Sequence, residues 1–373
     1  MTISNGEMGG STFGIDIGHH LVKLVELHYD ARERRTMADG YCIEISKDKV
    51  PGRTLLVRTL KHILPRRMKR AAQSALGVYG GHNVVLKRID LRGIPKGDVA
   101  SAADAEARQY LPENADGYIK GFSTTNPVLN PSAEGSEVAF VGIRQAICDF
   151  YDEVLMSSHK APVEFEAAGL ALAATYQRAS LRSEDELIGI LDIGEALTKI
   201  VLLKKGEFFF YEEMDIGSRF IISALQRRLG VALWPAVALI SGHEAAGLAP
   251  EYAIKNVQSD ISAFVTRIKD LIWRARLNSQ TWFFDRMLVC GGGAAIPCIV
   301  EALSPLFRYG VTVLDPFRGL PHRCGSLSKK PMPPASTLFA VAMGLALRAR
   351  YVSTGYGSNS RSALPGHKRL LGH

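Results

Sequence analysis

The chain carries one pattern twice. Residues 13–27 read Phe-Gly-Ile-Asp-Ile-Gly-His-His-Leu-Val-Lys-Leu-Val-Glu-Leu, and residues 189–203 read Gly-Ile-Leu-Asp-Ile-Gly-Glu-Ala-Leu-Thr-Lys-Ile-Val-Leu-Leu. With Asp16 set on Asp192, Ile17 falls on Ile193, Gly18 on Gly194, Leu21 on Leu197, Lys23 on Lys199 and Val25 on Val201. Each copy is an apolar run, an Asp, a glycine turn and a second apolar run, which is a β-hairpin with an acidic residue at its tip. One such hairpin in each half predicts two comparable halves whose tips face each other and grip a phosphate chain and its metal. Gly18 and Gly194 permit a tight turn and a close approach of backbone N–H groups to an anion. Asp16 and Asp192 suit Mg²⁺ and its waters rather than phosphate itself, because like charges repel. A third Asp-Ile-Gly, at 215–217, is followed by helical spacing (Phe220, Ile221, Ala224, Leu225, Leu229) with Ser218 as a candidate N-cap, so Asp215 is not counted as a phosphate-loop residue.

A further signal lies near the end. Met287-Leu288-Val289-Cys290 reads as a short buried strand, Gly291-Gly292-Gly293 follows, and 294–307 has helical spacing. Strand, glycines and helix make a place where a nucleotide can lie against bare backbone.

Hairpin, second hairpin and triple-glycine loop, in that order, resemble the signature of the actin-like ATPase superfamily. Within it the chain resembles the PilM-like type IV pilus assembly proteins of the FtsA/PilM branch. The resemblance is carried by 13–27, by Asp104-Ala105-Glu106-Ala107-Arg108-Gln109-Tyr110-Leu111-Pro112, by 138–151 and by 192–203. It continues through 288–297 with Asp315-Pro316-Phe317, and through 339–347, so that it covers roughly 12–350. It implies an α/β, actin-like (RNase H-like) two-domain fold, with a subdomain inserted in the first domain and a helical insertion in the second. The implied organisation is a flexible tail at 1–11, a first domain from 12–88 and 163–185, and an inserted subdomain at 89–162. The second domain would comprise 186–224 and 285–352, with its helical insertion at 225–284 and a disordered tail from 353–373.

The resemblance also implies a function: a cytoplasmic ATP-binding scaffold, peripheral to the inner membrane, that recruits the N-terminal peptide of a PilN-like membrane protein. Alternatives within the superfamily are an FtsA-like filament former and a small-molecule kinase. The expected cofactors are ATP and Mg²⁺, with turnover at most slow. The expected nucleotide site is Asp16, Gly18, His19, Lys23, Asp192, Gly194, Glu195, Gly291, Gly292 and Gly293, with Asp16 and Asp192 holding Mg²⁺ through water. Glu166 matches an acidic family position and is the candidate to orient a hydrolytic water.

The chain departs from the family where small residues are usual. His19 and His20 stand after the first glycine, where imidazole is larger than a hydroxyl and only sometimes charged. Glu195 follows the second glycine, and a carboxylate about 4 Å from a phosphate charge costs about 4 kcal/mol at an effective dielectric of 20. Glu195 must therefore turn away, reach the metal, or weaken the site. Lys23 and Lys199 follow on the outgoing strands, flanking the cleft or exposed.

Composition fits this reading. The chain has 373 residues and 47% hydrophobic content, enough for two or three cores, with no apolar run of about 18 residues to span a membrane. The N-terminal segment lacks the apolar stretch of a signal peptide, and the five cysteines are odd in number and scattered, as in a reduced compartment. The net charge of +8 is uneven: 49–88 holds ten Lys/Arg and no acidic residue, densest at Arg58, Lys61, Arg66, Arg67, Lys69 and Arg70. That segment is either a solvated face or a contact for anionic lipid or acidic protein; no motif supports nucleic acid. Tyr110, Trp234, Trp273 and Trp282 sit in apolar surroundings and are read as core.

Overall fold

The structure is a computed structural model that describes residues 11–30, 35–45, 52–64, 73–80, 83–95, 98–111, 117–124, 137–158, 163–179, 187–327 and 335–351. Both tail expectations, Arg66, Arg67, Lys69 and Arg70, and the loop at 126–135 fall outside the described residues. Two lobes and a small third sheet make up the fold.

The first lobe is built on the first hairpin. Strands β1 (Thr12–Ile17), β2 (Leu21–Asp30) and β3 (Arg35–Glu44) form an antiparallel meander, and helix α1 (Arg53–Ile63) leads to β4 (Gln73–Val78), parallel to β1. All six residues of β1 are buried, because the sheet is covered on both faces. The chain then leaves for a three-stranded sheet of order β5 (Val84–Asp90), β7 (Glu137–Arg144), β6 (Tyr118–Thr124), with α2 (Val99–Tyr110) inserted before β6. This sheet has its own small core, centred on Ile89, Leu91, Ala103, Ala107, Leu111 and Phe140. Helix α3 (Gln145–Ser158) buries Cys148, Val154 and Leu155 in the main core beside α1. The compact third unit therefore begins earlier, and ends earlier, than the 89–162 read from sequence. Strand β8 (Glu164–Ala167) and helix α4 (Ala168–Arg178) return to the first lobe.

The second lobe repeats the plan: β9 (Leu187–Ile193), β10 (Thr198–Lys204) and β11 (Glu207–Met214) form an antiparallel meander. Helices α5 (Arg219–Leu229), α6 (Leu233–Ile240), α7 (Pro250–Asn256) and α8 (Gln258–Ser279) follow, and then β12 (Arg286–Cys290) lies parallel to β9. The helical region thus begins at Arg219, so a boundary at 225 would cut α5. Helix α9 (Pro297–Leu303) and the edge strand β13 (Val311–Val313) complete the lobe.

One expectation is corrected here. Residues 285–352 do not all belong to the second lobe: β14 (His322–Ser326) pairs with β3 in the first sheet, and α10 (Ala340–Tyr351) packs on β1, β4 and α4. Apolar surface on the first sheet packs against them. Val25, Leu27 and Ala38 share a core with Phe317, Phe339, Ala342 and Ala346. Trp273 and Trp282 are not core either; they are 54% and 60% exposed.

Candidate functional site

The two hairpin turns meet at one cavity of about 810 Å³ between the lobes, within the usual range for small-molecule sites. Asp16, Gly18, His19 and Lys23 reach it from the first hairpin, Asp192, Gly194, Glu195 and Lys199 from the second, and Gly291 and Gly292 from the loop after β12. Gly293 does not line it; a Cβ there would lie 2.2 Å from Ile193 Cγ2, so this glycine serves packing. Glu166 does not line it either. It is fully buried on β8, accepts from the Ala167 amide at 2.9 Å and is paired with Arg348 of α10, away from the cleft. Burial pushes its carboxyl above the usual carboxylate range, partly offset by Arg348.

Gly291 shows why the loop is glycine. Its φ of 80° and ψ of −174° lie in a region essentially closed to other residues, and a Cβ would sit 2.4 Å from Asp192 Oδ1. The hairpin turns are closed by their glycine amides: Gly18 N donates to Leu21 O and Gly194 N to Leu197 O, each at 2.9 Å. Among the described residues the amides of His19, His20, Glu195 and Ala196 donate to no backbone carbonyl, whereas the glycines' own N–H groups are spent on closing the turns.

Each hairpin Asp is engaged by the Lys seven residues on. Lys23 Nζ lies 2.5 Å from Asp16 Oδ2, and Lys199 Nζ lies 2.6 Å from Asp192 Oδ2. The register explains this, since Asp16 sits opposite Lys23 and Asp192 opposite Lys199 in their hairpins. Both lysines are therefore inward-facing ion-pair partners, not exposed. Burial works against the Lys199 charge, but Asp192 and Asp16 outweigh it and the net shift is upward.

Sequence reasoning missed the residues that join the lobes. The Tyr79 hydroxyl, just past β4, donates to Ile17 O at 2.7 Å and approaches Asp16 Oδ1 at 3.2 Å, while Lys199 Nζ sits 4.4 Å from its ring centroid. Burial and Asp16 push the Tyr79 phenol well above its ordinary value. The Gly80 amide crosses to Glu213 of β11 at 3.1 Å, and the Tyr211 hydroxyl donates to the same carboxylate at 2.8 Å. These residues share no motif with the hairpins, and only the strand pairing brings them together.

At the mouth, Glu195 pairs with Arg219 at the start of α5, with Arg219 Nε 3.0 Å from Glu195 Oε1, and both residues line the cavity. Arg219 follows the discounted Asp-Ile-Gly, whose Gly217 packs directly on the Glu195 backbone. The Ser218 and Arg219 amides donate to Gly194 O and Glu195 O at 2.9 and 3.0 Å. The third tripeptide is thus a brace under the second hairpin turn. Ser218 caps nothing with its side chain, but it lines the cavity. His20 bridges the mouth, 3.6 Å from Glu195, 3.8 Å from Glu44 and 6.4 Å between ring centroids from Trp234. His19 is held below the ordinary histidine range, chiefly by burial and then by Arg219.

Two meander-led lobes with paired acidic turns and a glycine loop around one cleft define the actin-like ATPase fold class. The family model for the type IV pilus assembly protein PilM matches residues 14–350. The chain belongs to that family. It is similar to the "PilM-PilN type IV pilus biogenesis complex" structure, with a TM-score of 0.69, 18% identity, and coverage of 91% of this chain and 98% of that one. The ethanolamine utilization protein EutJ from Carboxydothermus hydrogenoformans is similar with a TM-score of 0.51 and 15% identity, covering 90% of this chain and 89% of that one. No described helix is long and apolar enough to cross a membrane.

Proposed function

We propose that the protein is a cytoplasmic scaffold of a type IV pilus or related secretion assembly, which binds ATP with Mg²⁺ in the cleft and captures the N-terminal peptide of a PilN-like inner-membrane protein. The observation that carries the nucleotide reading is the convergence of both hairpin turns and Gly291-Gly292 on one 810 Å³ cavity. The donor types fit: hard carboxylate oxygens for Mg²⁺, and turn amides with Arg219 for phosphate. Asp16 and Asp192 each already hold an ammonium, so they would hold Mg²⁺ through its waters, and the ion would neutralise phosphate charge. With Glu166 sealed against Arg348, nucleotide serves to set the angle between lobes rather than to be turned over quickly. The partner reading is supported by family membership and by the PilN-bound relative.

ATP–Mg²⁺ is expected to raise the melting temperature, because a ligand of the folded state stabilises it by mass action. Asp16→Ala and Gly292→Val should each abolish the rise; an unshifted wild-type curve at millimolar ATP would sink the nucleotide reading. For the partner, replacing 92–136 by a short Gly-Ser linker keeps β5, β7 and α3, and should retain the ATP response while losing the peptide in a pull-down. Retained capture, lost instead on neutralising Arg66, Arg67, Lys69 and Arg70, would move the interface to the basic segment.

A further inference from the structure

Three metal-ligating side chains converge on the first sheet, outside the cleft. Glu26 of β2 lies directly opposite Asp39 of β3, and His28 follows Glu26 by two residues. Alternation puts all three on one face, the face on which Val22 and Leu24 share a core with Leu56 and Leu60 of α1. One ligand atom from each lies within 4.8 Å of the other two. Glu26 and Asp39 are 1% and 8% exposed. The His28 side chain is 29% exposed, so the group is reached from solvent past the imidazole. None of the three lines the cavity.

Charge and hydrogen bonding in this group are incomplete. Carboxylates directly opposite each other on neighbouring strands repel, and a buried charge persists when it is paired or coordinates a metal. The Nδ1 atom of His28 is buried and has no hydrogen-bond partner. It stands 3.8 Å from Asp39 Oδ2, beyond hydrogen-bond reach. Among the described residues Asp39 accepts no hydrogen bond, and Arg323, its register partner on β14, forms no ion pair with it. Glu26 has a further interaction of its own, but a carboxylate offers about four lone-pair sites and can serve two partners.

We propose that Glu26, His28 and Asp39 bind a divalent first-row transition-metal ion, of which Zn²⁺ fits best. One imidazole nitrogen with two carboxylates is a donor set for that class, and the imidazole turns the preference away from Mg²⁺ and Ca²⁺. Three ligands held at about 2.1 Å from a tetrahedral ion stand about 3.4 Å apart. The side chains therefore close by about an ångström at most, which rotation of the two carboxylates supplies on a backbone fixed by strand register. The fourth position lies on the solvent side, beside His28, and takes water. The ion neutralises the opposed carboxylates, satisfies Nδ1 and clamps β2 to β3. This site is independent of the nucleotide and partner readings.

The test is calorimetric titration of the full chain, stripped with EDTA and dialysed, with Zn²⁺ alone. One equivalent is expected to bind with a micromolar Kd, to resist excess Mg²⁺ and to raise the melting temperature. His28→Gln should weaken that binding at least about tenfold and abolish the rise. Asp39→Asn should do the same, yet without metal it should melt no lower than wild type, because it removes one of two opposed charges. That comparison separates loss of the site from loss of the fold. His19→Gln/His20→Gln, in the cleft, should keep the tight equivalent. Zn²⁺ binding unchanged in His28→Gln, or lost in the cleft variant instead, would overturn the proposal. So would a wild-type chain that takes up no Zn²⁺ at micromolar concentration, with an imidazolium then bridging the two carboxylates.

Discussion

Removing the Lys199 ammonium tests the central arrangement of the cleft. Lys199 and Asp192 are 4% and 5% exposed and 2.6 Å apart. At an effective dielectric of 20 their attraction is about 6 kcal/mol, set against the desolvation of both ions. Lys199→Met leaves Asp192 buried without its partner, and breaking one side of a buried pair costs about 3–5 kcal/mol. Asp192→Asn/Lys199→Met removes both charges and should recover most of that loss. Urea unfolding of wild type, both single variants and the double variant gives the coupling energy, expected above about 2 kcal/mol. Millimolar Mg²⁺ should restabilise Lys199→Met more than wild type, because the cation takes over the vacated carboxylate. Additive single costs, or a Lys199→Met variant within about 1 kcal/mol of wild type, would refute the reading of Asp192 as a buried anion that requires a cation.

Glu195→Ala frees Arg219 and removes a negative charge from the mouth, so ATP–Mg²⁺ affinity measured by calorimetry should rise; an unchanged affinity would mean that the Arg219 pair already neutralises Glu195. Gly291→Ala should destabilise by more than about 1 kcal/mol and abolish the ATP-induced melting shift, since the backbone is strained and the new methyl displaces Asp192. Burial lowers the folded-state pKa of His19 below the unfolded 6.5, so the unfolded state binds the proton first. Stability from this residue is present above 6.5 and falls as pH drops toward the folded value, and His19→Gln should flatten that slope in melting curves at pH 5 to 7.

Much of the cleft was legible because the hairpins are local. Alternation and a turn glycine specify a hairpin within fifteen residues, and its register sets Asp16 against Lys23 and Asp192 against Lys199. What lay beyond reading was long-range. Tyr79 meets Asp16 only because β4 runs parallel to β1, and Glu213 meets Gly80 only because the lobes close. Glu166 looked catalytic from its place in the chain, yet Arg348, 182 residues later, neutralises it. Trp273 and Trp282 misled for other reasons: apolar neighbours in sequence do not say which face of a helix Trp273 occupies, and Trp282 lies in the loop after that helix. The assignment of 285–352 to one lobe failed because chain order does not reveal that β14 completes the first sheet.

The contacts that cross the cleft form two tiers with different chemistry. The deep tier is Tyr79, Lys199, Gly80 and Glu213, where burial raises the Glu213 carboxyl pKa and removing any member strands a buried group. The outer tier is His20 with Glu195 and Trp234 of the second lobe, held at distances beyond direct hydrogen bonding. The three-stranded sheet also reaches the second lobe. Lys87 and Arg88 of β5 stack over Phe210 and Phe209 of β11, at 5.9 and 4.4 Å. That sheet is thereby held to the second lobe as well as joined to the first by the chain, so its placement depends on how the two lobes sit.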